Sequence, residues 1–369
     1  MKSDPFPIVA PHDVDYWADN KKVLTRLIQA ESDALLFPSS RIHVLFGPLG
    51  GGKSFAISYL AHPKTRSVLM KYLPSPKSKD FLAIRITASY PHKAGQLTAS
   101  VYSGIFKKLF AKIVDDKGLV VDLRKSGNKI AGLVGQALRS IGHDAVQGLD
   151  GHISLQRLEV TEGYKCLTLE KSKIGSLKSQ EDYVAAIGTL TDTLLRKYQR
   201  IIIAIDELEN LRNVSGSERL FFNDFVRHLH QEIEVGVTLI LAFTFNTFED
   251  VAAVLQPAVI SRISERVNFD YVRKKSDIVE YITECLEKRG GIDPYSVIEP
   301  SAITAIAADV TRENQPITFR DVNKELHRVF AFVFARKKNK PLKVTKAAFE
   351  DMKKAVPIQE IIKDLGDTI

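Results

Sequence analysis

Ile42-His43-Val44-Leu45-Phe46-Gly47-Pro48-Leu49-Gly50-Gly51-Gly52-Lys53-Ser54-Phe55 joins three signals without a gap. An apolar run ends at Phe46, residues 47–54 fit G-x-x-x-x-G-K-[ST] at every specified position, and Phe55, Ile57 and Leu60 begin a helix-like run. Strand, glycine loop and helix in that order predict a phosphate-binding loop. Glycine lets the backbone enter conformations that a Cβ forbids, so successive N–H groups can converge on one anion. The positive end of the following helix adds to that field. The candidate nucleotide-binding residues are therefore Gly47, Pro48, Leu49, Gly50, Gly51, Gly52, Lys53, Ser54 and Phe55. Lys53 is expected to reach the β- and γ-phosphates of ATP, and the Ser54 hydroxyl to ligate Mg²⁺.

Outward from the loop, the pattern alternates between helix and strand. Val23, Leu24, Leu27, Ile28, Leu35 and Leu36 recur at helical spacing until Pro38 stops them. Residues 62–79 carry five Lys/Arg and several prolines, which predicts a basic linker. Phe81–Thr87 then predicts a second strand. Helices are expected near 95–114 and 181–197. Residues 121–180, with mixed periodicity and many glycines, are expected to form an insertion or small subdomain, since a structureless loop of that length is improbable in a compact domain.

Arg200–Ile205 is a continuous β-branched run, as in a strand covered on both faces. It ends in Asp206-Glu207. An ATPase needs an acid to hold Mg²⁺ and another to polarise water; Asp206 suits the first task, and Glu207 suits the second as general base. A turn at 213–217, a helix with Leu220, Phe221, Phe225 and Leu229, and a fourth strand, Val237–Phe243, follow. Asn246 stands just past that strand, placed to bond the γ-phosphate or the water, with Thr244 as competitor. A helix at 247–255, a loop with Pro257, and a short fifth strand at 266–269 complete the alternation. Arg262 precedes that strand and could reach a neighbouring subunit's γ-phosphate; Arg266 is the alternative.

From about 271 the pattern is helical. Helices are expected at 277–289, 300–310 and 318–336, the last with Val322, Leu326, Val329, Phe330 and Val333 on one face. A strand is visible only at 342–344. Arg320 lies in the first turn of the third helix, off its apolar face. Arg336, Lys337, Lys338, Lys340 and Lys343 form the densest basic cluster, suited to a solvated helix end or to phosphate backbone. The expected fold class is thus an α/β P-loop NTPase with a parallel five-stranded sheet over 1–270, plus a helical lid and basic tail over 271–369.

Composition narrows the class. The 369 residues exceed one ordinary core, and 44% hydrophobic with 26% charged residues is globular usage. A net charge of +8 favours polyanionic partners. Cys166 and Cys285 match no metal or redox spacing, which excludes a disulfide scaffold and suits a reducing cytoplasm. No signal-peptide core or spanning apolar run is visible, so a cytoplasmic protein without membrane association is expected. His228 and His230, two apart on a helix, diverge and offer no metal site.

The order of these parts resembles that of the AAA+ ATPases. The resemblance covers residues 15–335 and implies Asn246 as sensor 1, Arg262 as arginine finger and Arg320 as sensor 2. Asp206-Glu207-Leu208-Glu209-Asn210-Leu211 and Ile317-Thr318-Phe319-Arg320-Asp321-Val322 look most like the initiator branch, which includes origin-recognition and transposition-regulator ATPases. It implies ATP bound between subunits of a homo-oligomeric ring or filament, with DNA gripped through the insertion between the second and third strands. Residues 337–369 are fewer than a winged-helix domain needs, and 121–180 is longer than a single helical wedge. The expected activity is therefore a Mg-dependent ATP hydrolase that assembles on or remodels DNA-bound partners. The alternative is a nucleotide-gated scaffold or a signalling or defence ATPase whose partner is a protein.

Overall fold

The computed structural model describes residues 6, 17, 21–70, 80–88, 97–125, 180–272, 274–311, 316–336 and 343–354. Two compact units emerge, one from residues 25–47 and 56–268, the other from residues 1–24, 48–55 and 269–369.

The first unit is organised by five parallel strands: β1 (Arg41–Phe46), β2 (Phe81–Thr87), β3 (Arg200–Asp206), β4 (Val237–Phe243) and β5 (Ile263–Asn268), in the order β2-β3-β4-β1-β5. Sequence explains the order. β3 and β4 are buried at every residue and β1 at all but the first, as interior strands with continuous apolar runs must be. The edges carry most of the polar residues that are not fully buried: Arg85 and Thr87 on β2, Ser264, Glu265, Arg266 and Asn268 on β5.

Helices α1 (Lys21–Leu36), α2 (Lys53–Ala61), α3 (Pro63–Met70), α4 (Leu97–Val114), α5 (Lys117–Lys125), α6 (Gln180–Leu195) and α7 (Gly216–Glu232) punctuate the strands. Ile105, Phe106 and Leu109 of α4, Ile187 and Leu190 of α6, and Phe222, Phe225 and Leu229 of α7 join Ile42, Ile84, Ile203 and Leu239 in one apolar core. Each such side chain contributes about 1.5–3 kcal/mol on burial. Buried Glu218 ties α7 to α4, accepting from the Thr98 amide at 2.9 Å and its hydroxyl at 3.0 Å. At the amino ends of the strands, buried Arg200 donates to Val237 O (3.1 Å), Thr238 Oγ1 (3.0 Å), Phe37 O (2.5 Å) and Ser39 O (3.0 Å).

Several local expectations are corrected. The basic stretch after α2 is helical over Pro63–Met70, because proline at a first helical position preorganises the turn. α5 reaches Lys125, so 121–125 belongs to a helix; the rest of the expected insertion, 126–179, lies outside the described residues. Pro257 opens a short helix, α9 (Pro257–Ile260), instead of sitting in a loop, after α8 (Phe248–Ala252). The fifth strand, expected at 266–269, runs over Ile263–Asn268, so it starts three residues earlier and directly follows Arg262. Of the strand expected at 342–344, residue 342 lies outside the described residues, and Val344 forms a parallel bridge with Ile298.

The second unit is helical: α10 (Lys275–Glu284) continuing as a π-turn (Cys285–Gly290), α11 (Pro294–Val297), α12 (Pro300–Val310), α13 (Phe319–Arg336) and α14 (Lys346–Lys354). Ile278, Ile282, Leu286, Ile303, Ile306, Val322, Leu326 and Val329 form its core. Phe6 is buried there, stacked on Phe330 at 6.0 Å. The Tyr281 hydroxyl donates to Asn323 Oδ1 at 2.9 Å, crossing from α10 to α13. Of the C-terminal basic cluster, 337–340 lie outside the described residues.

Candidate functional site

The phosphate loop leaves the carboxyl end of β1. Gly47, Gly50 and Gly52 take φ of 148°, 81° and 105°, which a side chain would oppose. The Pro48 carbonyl accepts from the Gly51 amide at 3.1 Å and from Lys53 Nζ at 2.8 Å, which curls the loop upon itself and draws buried Lys53 over it. Leu49 is exposed.

Arg320 is brought to this loop. A Cβ placed on Gly50 would lie 2.6 Å from Arg320 Cβ and 2.9 Å from Thr318 Oγ1. The α13 terminus that presents Arg320 is fixed by a side-chain cap: Asp321 Oδ2 accepts from the Thr318 amide at 3.0 Å and from its hydroxyl at 2.7 Å. Arg320 Nε is buried with no hydrogen-bond partner among the described residues.

The acidic pair stands at the carboxyl end of β3. Register sets Asp206 opposite Thr87 of β2, while Phe46 at the end of β1 faces Phe243 of β4. The ends of β1 and β3 thus share one edge of the sheet with β4 between them. Asp206 is buried; its Oδ1 accepts the Glu207 amide at 3.0 Å, and its Oδ2 accepts Arg85 Nη2 at 2.8 Å.

Glu207 is exposed and has φ 64°, ψ 35°, the sole non-glycine residue with positive φ among the described residues. That conformation costs about 1–2 kcal/mol. Both flanks of the turn are fastened. Glu209 accepts the Thr244 amide at 3.1 Å, reaching the end of β4, and Asn210 Nδ2 donates to Ala88 O at 2.8 Å, reaching the end of β2. Glu209 is thereby committed to structure, and Glu207 is the more exposed of the two carboxylates.

Asn246 lies exposed, three residues past β4; Thr244 is half-buried, with its amide held by Glu209. Arg262 is folded back, donating to the Ala258 carbonyl of α9. It stands beside His230, whose pKa is held below the ordinary 6.5 by burial first and by the Arg262 charge second. Arg266 lies over the Phe248 ring at 3.7 Å from its centroid.

Glycines with positive φ around buried Lys53 fit the phosphates of a nucleotide, which Gly47–Phe55 could hold; Asp206, buried at the end of β3, has the chemistry of a metal ligand. Two participants escape the sequence patterns. Arg85 betrays itself only as a cation interrupting the apolar run of β2, and Glu209 only as a third acid after the pair. The Thr318-x-x-Asp321 cap is legible in sequence and marks the start of α13.

No family model and no curated protein matches the chain. The solved structure of the Aeropyrum pernix Orc1 protein in complex with DNA is similar, with a TM-score of 0.51, 18% identity, and coverage of 95% of this chain and 68% of that one. Among the described residues no helix is long and apolar enough to cross a membrane. In fold the chain pairs an α/β unit built on a five-stranded parallel sheet with a helical unit, and that fold is what it shares with the Orc1 structure.

Proposed function

We propose that this chain is a Mg-dependent ATPase that assembles with copies of itself and acts on DNA-bound partners. The observation that carries the proposal is the loop itself: a complete G-x-x-x-x-G-K-S run in which Gly47, Gly50 and Gly52 take positive φ at the end of an interior parallel strand. Mg²⁺, when bound, neutralises charge on the phosphate oxygens. Loop amides and Lys53 bind and orient the triphosphate, while Ser54 and Asp206 retain the metal. Glu207 accepts the proton of the attacking water at its carboxylate, and Asn246 aligns that water or the γ-phosphate. Arg320, backed against Gly50, offers positive charge within one protomer; Arg262 does so towards a neighbouring one. The net charge of +8 and the fold shared with a protein solved on DNA favour DNA as the polyanion.

Calorimetry with Mg·ATP tests the core of this. The protein is expected to bind and turn over ATP, Lys53→Ala to abolish binding, and Glu207→Gln to bind without turnover. Heat that is indifferent to Lys53 would refute the proposal. Mass measurement with a non-hydrolysable ATP analogue, with and without duplex DNA, tests assembly; weak DNA binding that vanishes at moderate salt in every nucleotide state would reject the DNA part.

A further inference from the structure

Arg85 extends from β2 with its guanidinium between two partners. Nη2 donates to Asp206 Oδ2 at 2.8 Å and Nη1 donates to Ser58 Oγ at 3.1 Å. Asp206 is shielded from water, with its side chain 3% exposed, and Arg85 is 21% exposed. A carboxylate so enclosed needs a counter-charge, and Arg85 supplies it. The other Asp206 oxygen is taken by the Glu207 amide. Any cation, or water on a cation, that approaches Asp206 therefore meets a carboxylate already neutralised by a resident guanidinium on Oδ2 and bonded by an amide on Oδ1. Ser58 lies one helical turn beyond Ser54 on α2, so the same guanidinium joins the helix that follows the phosphate loop to the end of the acidic strand.

We propose that Arg85 is a positioning residue that holds the Asp206 carboxylate and sets the Mg²⁺ concentration at which that carboxylate is recruited to the metal. The proposal rests on the reading of Asp206 as part of a Mg·ATP site. Its physical content is competition: a fixed positive charge beside the carboxylate disfavours a second one. Removing Arg85 should therefore tighten metal recruitment while loosening the metal-free protein, which is left with a buried and uncompensated Asp206.

Four proteins test this: Arg85→Gln, Arg85→Lys, Asp206→Asn, and the double variant Arg85→Gln with Asp206→Asn. In thermal unfolding without nucleotide or Mg²⁺, Arg85→Gln is expected to lower Tm markedly on the original background and much less on the Asp206→Asn background. That arm reads the ion pair whether or not the protein binds ATP. In Mg²⁺ titrations of ATP binding, Arg85→Gln is expected to move the midpoint to about three- to tenfold lower Mg²⁺, and Arg85→Lys to leave it near that of the unsubstituted protein. Additive Tm changes, or a midpoint that stays or rises in Arg85→Gln, would overturn the proposal. Should Asp206→Asn fail to fold, the Gln and Lys variants of Arg85 still decide it by their midpoints. Loss of all Mg-dependent ATP binding in the unsubstituted protein would instead overturn the nucleotide-site reading, and this proposal with it, a result distinct from an unmoved midpoint.

Discussion

Gly50 and Arg320 are in steric register: a methyl on the loop glycine would sit 2.6 Å from the Arg320 Cβ, well inside contact distance. Gly50→Ala combines that overlap with a φ of 81° that alone costs about 1–2 kcal/mol. ATP affinity is expected to fall at least about tenfold, the equivalent of 1.4 kcal/mol. Because the close atom is a Cβ, Arg320→Ala should not rescue Gly50→Ala. Rescue by alanine in an ATP titration would show that the guanidinium, not the backbone approach, sets the constraint.

Glu207 is held in a conformation glycine adopts freely. Glu207→Gly is therefore expected to stabilise the fold by about 1 kcal/mol and abolish turnover, whereas Glu207→Gln abolishes turnover at unchanged stability. Stability that rises as function disappears marks strain retained for the site. Urea unfolding of both variants checks this; equal midpoints would argue against strain at Glu207.

Glu209 fastens the acidic turn to β4 through the Thr244 amide, two residues before Asn246. Glu209→Ala should lower kcat about tenfold or more with little change in KM, since the lost contact positions the water-handling groups and leaves the phosphate loop intact. Glu209→Gln keeps an acceptor oxygen and should recover much of the rate. A KM effect of similar size would assign Glu209 to nucleotide binding instead.

Buried Arg200 and half-buried His230 give stability signatures of their own. Arg200, its pKa pulled down to about 10 by burial, stays charged at neutral pH and serves four acceptors. Arg200→Met should destabilise by about 3 kcal/mol or more by stranding three carbonyls and the Thr238 hydroxyl. His230 titrates below 6.5 in the folded protein, so between that lowered pKa and 6.5 the unfolded chain binds more protons. Stability should accordingly be unaffected by His230 above pH 6.5 and decline as pH falls below it. His230→Gln should flatten that decline in thermal melts taken across this range, and Arg262→Gln should raise the His230 titration midpoint seen by NMR.

The parts legible in sequence were the local ones. An uninterrupted run such as Arg200–Asp206 announces an interior strand, and the loop motif carries its own geometry in adjacent residues. Contacts that close over long chain separations were not legible: nothing near Arg85 announces Asp206, 121 residues away, and nothing near Arg320 announces Gly50. The edge strand β5 was read short because its first three residues, Ile263, Ser264 and Glu265, alternate partly covered and exposed positions without an apolar run. The Pro63 helix was missed because proline and lysine were weighed as linker composition, while a proline at a first helical position favours the turn.

The strand that feeds the phosphate loop has β4 and β5 as its sheet neighbours, contributed by residues 237–243 and 263–268, whereas β1 itself ends at Phe46. During synthesis the loop sequence emerges early, yet β1 waits for some two hundred further residues before it can be flanked. Nascent chains halted before β4 should be unable to capture ATP, and chains released after β5 should acquire that ability in a single late step.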